Sequence, residues 1–200
     1  MPALKLERGS GLVVVAHPDD ETIWMGGTIL ANPQIHWTIF SLCRANDHDR
    51  APKFRKVMRR YGARSIITDL EDEGVMNISV SLPKIKTYLL KKLRVRSFDY
   101  IFTHAYNGEY GHPRHKGVHR GVKDLLRRNK INAGKTFTFA YVLDERKGYA
   151  ISSESAAYRV VLSSASLKIK KHIIQNLYGF APSSFEARSS ARTETFNFLL

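Results

Sequence analysis

The chain has 200 residues, 43% of them hydrophobic and 25% charged, with a formal net charge of +14; that is enough apolar material for one core and excludes an intrinsically disordered chain. The lone Cys43 excludes an intrachain disulfide framework and fits a reducing compartment. No apolar run reaches the length of a membrane helix, and residues 1–10 carry Lys5, Glu7 and Arg8 without an apolar stretch, so the expectation is a cytoplasmic chain with no transmembrane segment and no signal peptide.

The first predicted strand, residues 11–16, contains Leu12-Val13-Val14-Val15-Ala16 and ends in His17-Pro18-Asp19-Asp20-Glu21. A β-branched run that delivers a histidine and two aspartates to a strand's carboxyl end is hard to explain by packing, because that end of an open α/β sheet is where ligands sit. Pro18 fixes its own φ and biases His17 away from helix, which stiffens the turn. A helix is predicted over 21–30. Asp20 as its N-cap, with Gly26-Gly27 serving close packing, accounts for one carboxylate and leaves the rest of the cluster unexplained.

A second strand is predicted over 35–43. It leads into the polar loop Asn46-Asp47-His48-Asp49-Arg50, which reads either as a helix entry capped by Asp49 or as a substrate grip with Arg50 foremost. Phe54, Val57, Met58 and Tyr61 then mark a helix with one core-facing stripe. A strand over 65–69 precedes a helix marked by Leu82, Ile85, Leu89 and Leu93, with Ser81 as expected N-cap and Pro83 in its first turn. The strand over 98–103 is followed by Tyr110-Gly111-His112-Pro113-Arg114-His115 and a helix bearing Val118, Val122, Leu125 and Leu126. A strand over 136–143, a further strand over 158–162 and a helix over 166–178 complete the elements, with 181–184 and 189–190 as loop or tail. The alternation implies a parallel sheet with right-handed crossovers, in a single domain spanning 1–200.

Two strand ends thus carry histidines. Catalytic zinc takes imidazole nitrogen and carboxylate oxygen from three protein ligands and leaves a position open, a number that His17, Asp20 and His115 supply. His119, one helical turn beyond His115, and His104, at a strand end, read as hydrogen-bonded neighbours rather than ligands. Trp24 and Trp37 read as core or rim packing.

Ala16-His17-Pro18-Asp19-Asp20-Glu21, Gly26-Gly27-Thr28 and the later Tyr110-to-His115 segment together resemble the zinc-dependent PIG-L/LmbE-like N-deacetylases, over roughly the first two thirds of the chain. With the order of elements, the resemblance implies a Rossmann-like three-layer α/β sandwich around a mostly parallel sheet. It also implies that His17, Asp20 and His115 bind Zn2+, with another divalent transition metal as the alternative, that Asp19 is the general base, and that His112 and Tyr110 assist at the reacting carbonyl. The activity so implied is removal of an N-acetyl group from an N-acetylglucosamine-type amino sugar with release of acetate, the sugar being carried by a lipid, a glycoconjugate or a small metabolite.

The chain departs from the pattern of many relatives at two places. Arg114 stands where they commonly have Asp; a guanidinium there is expected to lower the pKa of His112 and, if it faces the pocket, to favour an anionic substrate. Arg50 is followed three positions later by Lys53 rather than Glu. Basic clusters over 50–64, 84–96, 127–130 and 168–171 lie on separate predicted helices and form no nucleic-acid motif, so a solvated basic face is the preferred reading. The competing functions are a nucleic-acid or anionic-surface binder on this fold, and a metal-binding member without turnover. The oligomeric state is open.

Overall fold

The computed structural model describes residues 1–200. Nine strands occur in chain order: β1 Gly9–Val15, β2 Ile35–Cys43, β3 Arg64–Leu70, β4 Ser97–Thr103, β5 Asn132–Phe139, β6 Tyr141–Asp144, β7 Tyr149–Ser152, β8 Tyr158–Val161 and β9 Thr193–Phe198. The helices are α1 Asp20–Ala31, α2 Arg50–Tyr61, α3 Ile78–Lys92, α4 Gly108–Gly111, α5 Pro113–Arg127, α6 Ser164–His172 and α7 Phe185–Ser189, with a π turn over Ile173–Leu177.

Seven strands form one sheet in the order β3-β2-β1-β4-β5-β9-β8. The first five pair in parallel, and β9 and β8 close one edge antiparallel. The mostly parallel α/β sandwich is therefore as expected. Strand order reverses between β1 and β4, which opens a crevice beyond the carboxyl ends of those two strands, where both histidine motifs lie.

The apolar run of β1 is continuous because both of its faces are covered. Val13 and Val15 belong to one core with Trp24, Phe54, Val57, Met58 and Phe102; Leu12, Val14 and Ala16 belong to the other with Ile85, Leu89, Val118 and Val122. Helices α1 and α2 thus cover one face and α3 and α5 the other.

Local expectations fare unevenly. Strand 136–143 is broken at Ala140: β5 ends at Phe139, and β6 leaves to pair with β7 in a separate two-stranded sheet. Helix 166–178 is α6 continuing into the π turn. Residues Ser189 and Ser190 are buried rather than tail, and β9 follows them. Helix α3 starts at Ile78, three residues before Ser81, with the Asn77 side chain accepting the Val80 amide at 3.0 Å, so Pro83 sits inside the helix. Asp20 opens α1 but does not cap it; Asp19 occupies the cap position and its side chain makes no capping bond.

Helix α1 is kinked at Met25 (φ −148°, ψ 17°). The kink frees backbone amides downstream, and the buried Glu194 of β9 accepts those of Gly27 (2.8 Å) and Thr28 (2.7 Å) together with the Thr28 hydroxyl (2.6 Å). Lys170, also fully buried, donates to the same carboxylate at 2.7 Å. Gly27 serves close packing here, since a Cβ would lie 2.1 Å from Leu162. No helix is long and apolar enough to cross a membrane.

Candidate active site

His17 follows β1, and His115 lies in the first turn of α5 beyond β4. Each ring is held through its outer nitrogen by a carboxylate. His17 Nε2 lies 2.9 Å from Asp72 Oδ1, and His115 Nδ1 lies 2.6 Å from Glu109 Oε2. With those nitrogens donating outward, His17 Nδ1 and His115 Nε2 offer their lone pairs inward, the usual way of orienting metal-binding imidazoles. The inner atoms are 3.4 Å apart, and Asp20 Oδ2 stands 3.2 Å from the first and 3.3 Å from the second. Asp20 is itself fixed by the Trp24 indole N–H on Oδ1 and the His17 amide on Oδ2, each at 2.9 Å.

Ligands about 2.0–2.1 Å from a tetrahedral ion lie about 3.3–3.4 Å from one another. The triangle of His17, Asp20 and His115 has that spacing, so this donor set fits zinc. Three other donor groups come together nearby, two of them sharing His115. His104 joins Asp20 and His115, but its Nε2 accepts the Ala16 amide at 3.0 Å and its Nδ1 faces Glu109 at 2.8 Å, which leaves no free lone pair. His112 stands beside both histidines. Cys43 lies near His17 and Asp72, but burial pushes its thiol pKa up, so it holds its proton, and Asp72 already engages the His17 nitrogen on that side. Burial alone would lower the pKa of His17, but its bonds to Asp20 and Asp72 outweigh that and raise it to about 9. A cation entering the triangle therefore displaces protons.

The adjacent aspartates are driven apart. Despite its burial, Asp20 is held well below the usual carboxylate range by His115 and His104. Asp19 is raised well above it by burial and by the neighbouring Asp20, against the pull of Arg50. Pairs with divergent pKa values are the mark of divided acid–base roles. Asp19 also sits at φ 115°, a costly conformation for a residue with a side chain, and Glu21 Oε2 accepts its amide at 3.1 Å. Glu21 is in turn bonded by Thr22 (2.6 Å) and Tyr178 (2.7 Å), and burial raises its pKa to about 7.

His112 caps α5, its Nδ1 accepting the Arg114 amide at 3.3 Å, so the neutral ring carries its proton on Nε2. Burial first, then the positive neighbours His115 and His17, lower its pKa to about 4. Its centroid is 4.9 Å from that of His17 and 4.7 Å from that of His115. The Tyr110 ring packs against Phe185 at 4.6 Å, and burial raises its phenol pKa, keeping it a donor. A cleft of about 380 Å³ opens beside these groups, lined by His17, Asp19, Asp20, Arg44, Arg50 and Tyr110 among others; His112 and His115 are not among its lining residues.

The two arginines do not behave alike. Arg50 lines the cleft, but its Nη1 is 2.9 Å from Asp19 Oδ2 and its guanidinium lies over Phe180, so it acts on the aspartate rather than standing free for substrate. Arg114 is not the expected substrate contact: it is 3% exposed with its guanidinium bonded to Glu71, and the low pKa of His112 arises from burial and the other histidines. Lys53 pairs with Asp49 at 2.8 Å. His119 Nδ1 reaches the His104 carbonyl at 3.0 Å, and Trp37 is core.

Sequence reasoning missed Glu109, Asp72 and Arg44, and the contribution of Phe185 and Glu186 to the cleft. Asp72 had a usable signal, since the acidic run Glu71-Asp72-Glu73 directly follows a strand's carboxyl end. Glu109 immediately precedes the second motif.

The family model described as PIG-L, GlcNAc-PI de-N-acetylase, matches residues 12–126. Uncharacterized protein L374 of Acanthamoeba polyphaga mimivirus is 29% identical over 146 residues, which are 65% of this chain and 61% of that relative's own length. Among solved structures, N,N'-diacetylchitobiose deacetylase from Pyrococcus horikoshii superposes with a TM-score of 0.63 at 16% identity, over 94% of this chain and 83% of the other. The 4-carboxy-2-hydroxymuconate hydratase GalB from Pseudomonas putida gives 0.61 at 13% identity over 96% of both chains. The A40926 pseudoaglycone deacetylase Dbv21 gives 0.60 at 13% over 86% and 83%. At such identities these likenesses establish the fold, and a fold that serves both deacetylases and a hydratase leaves the reaction to be argued from the site.

Proposed function

The chain belongs to the PIG-L family, and from that premise we propose that it is a zinc-dependent N-deacetylase that releases acetate from an N-acetylglucosamine-type amino sugar. The observation that carries this reading is the triangle of His17, Asp20 and His115, with both rings tethered to outer carboxylates and Asp19, outside the triangle and held by Arg50, beside it. A zinc ion held there supplies a Lewis acid that polarises an amide carbonyl and acidifies water.

The protein groups do the rest. Asp19, with its pKa raised by burial and by Asp20, accepts a proton from the attacking water; Arg50 holds its carboxylate in place. His112, neutral and carrying hydrogen on Nε2, donates to the oxygen on which negative charge develops, and Tyr110, whose ring centroid lies 5.6 Å from that of His112, is a second donor. Asp19 then returns its proton to the leaving amine. Because Phe185 and Glu186 join the cleft wall, the whole of 1–200 acts as one catalytic domain in this reading. The substrate in this reading is a small molecule or glycoconjugate that carries the amino sugar. Arg44 and Arg50, the cleft's two guanidiniums, are each bound to carboxylates, so the site has no uncommitted arginine for an anionic substrate.

Acetate release from a panel of N-acetylated amino sugars tests this, using protein stripped by chelator and protein refilled with zinc. Release that appears on refilling and is absent from Asp19→Asn supports it. Zinc-loaded protein that binds such a sugar without releasing acetate favours a metal-binding member without turnover, and release that survives chelation overturns the role of the metal.

A further inference from the structure

Arg114 lies inside the second motif, yet the proposed chemistry does not use it. Its Nη2 donates to Glu71 Oε2 at 2.5 Å, at the start of the loop between β3 and α3. The Glu71 carboxylate also accepts the amides of Val75 (3.1 Å) and Met76 (2.8 Å), so that loop is folded around it. The next residue, Asp72, faces His17 Nε2 at 2.9 Å through one oxygen and accepts Arg44 Nη2 at 2.8 Å through the other. Arg114 is in the first turn of α5, immediately before His115.

We propose that Arg114 is a positioning residue for the metal site: through Glu71 it clamps the β3–α3 loop to α5, which holds Asp72 against His17 and sets His17 and His115 at ligand spacing. This rests on the reading of His17, Asp20 and His115 as metal ligands.

The loop is also held by Arg44, which pairs with Asp72 (2.8 Å) and Glu73 (3.6 Å), and by Met76, which packs against the core, but Arg114 is the buried cation among these anchors. Val75 is 83% exposed, and the other charged partner of Asp72, Arg44, is 37% exposed on its side chain, whereas Arg114 is buried. A buried guanidinium without its carboxylate is strongly unfavourable, so the Arg114–Glu71 pair keeps the loop closed. Only one arm of the guanidinium is used: Nη1 is buried and has no hydrogen-bond partner. The bond to Glu71 is thus a single-point contact that a lysine ammonium can reproduce, unlike a two-armed arginine clamp. Two ligands carried on separate elements are in this way registered against each other by a residue that touches neither substrate nor metal.

Zinc dissociation constants measured by competition with a chromophoric chelator test the proposal, together with thermal unfolding of the metal-free proteins. Arg114→Met and Glu71→Gln are each expected to weaken zinc about tenfold, the low end for partners outside the ligands. Arg114→Lys should stay within about threefold of wild type, and Arg114→Met should add nothing in an Asp72→Asn background, since both act through one contact. An unchanged zinc constant in Arg114→Met with a lowered unfolding temperature makes the residue merely structural and overturns the proposal, as do losses that add in the double variant. Should Arg114→Met fail to fold, Glu71→Gln, at a half-buried loop position, carries the same test. Wild-type protein that takes up no zinc overturns the metal site itself and this proposal with it, whereas normal wild-type binding with indifferent variants overturns this proposal alone.

Discussion

Glu109 Oε2 lies 2.6 Å from His115 Nδ1 and, on its other side, 2.8 Å from His104 Nδ1. One buried carboxylate oxygen thus sets the tautomer of two stacked imidazoles whose centroids are 3.8 Å apart, while Oε1 accepts the Ala105 amide at 2.8 Å. Glu109 adopts φ 58° to do so. Glu109→Gln keeps the shape but replaces the acceptor with a group that donates on one side. Zinc affinity is expected to fall about 10- to 100-fold by chelator competition, and undiminished affinity would remove Glu109 from the site.

The two neighbouring aspartates should separate cleanly. Asp19→Asn is expected to keep full zinc stoichiometry and to lose turnover by about 10²–10⁴-fold, because an amide cannot take the proton of water. Asp20→Asn is expected to lose zinc, since it removes a donor from the triangle. Metal analysis beside acetate release distinguishes them; equal metal loss in both variants contradicts the division of roles.

His112 supplies a pH signature. Its folded pKa is lowered to about 4 from 6.5, so between those values the unfolded chain binds the proton that the folded chain refuses. The neutral ring's stabilising contribution is complete above pH 6.5 and is lost as pH falls towards 4. A cation beside the ring acts in the same direction. Thermal unfolding of wild type and His112→Asn from pH 7 to 4 should therefore show the wild type losing ground relative to the variant on acidification; parallel curves would deny the shift.

Lys170 and Glu194 form the buried pair that terminates the second half of kinked α1. Lys170→Met leaves the Glu194 charge facing only amides and a hydroxyl, and should destabilise the fold by about 3–5 kcal/mol. Combining it with Glu194→Gln should recover part of that loss, because no unpaired charge then remains. Denaturant unfolding measures both, and a neutral Lys170→Met would show that the helix amides alone satisfy the carboxylate.

The sequence carried β1, β2 and β4 and the site between β1 and β4 because those strands are buried over most of their length and their apolar runs end abruptly in polar or charged segments. The carboxyl-terminal third was opaque for an identifiable reason. Glu194 and Lys170 are charged residues that read as surface, and the Gly26-Gly27 pair beside the α1 kink at Met25 reads as close packing rather than as a kink signal. The break at Ala140 is likewise set by pairing with residues far along the chain. Within the site, the histidines were legible from their motifs, while their outer partners Asp72 and Glu109 come from loops whose conformation no periodicity reports. Arg114 shows the limit most clearly, since its position in the motif left its direction open and only the placement of Glu71 reveals that it is buried in an ion pair.

X-ray absorption at the zinc edge of the refilled wild-type protein tests the central claim most directly, because it reads the donor atoms themselves. The account predicts one zinc per chain in a nitrogen and oxygen shell at about 2.0 Å with the outer scattering of two imidazoles, both lost together in His17→Ala and His115→Ala. A sulfur neighbour at about 2.3 Å, which only the buried Cys43 cluster could supply so close to His17, or a shell unaffected by either substitution, would contradict it.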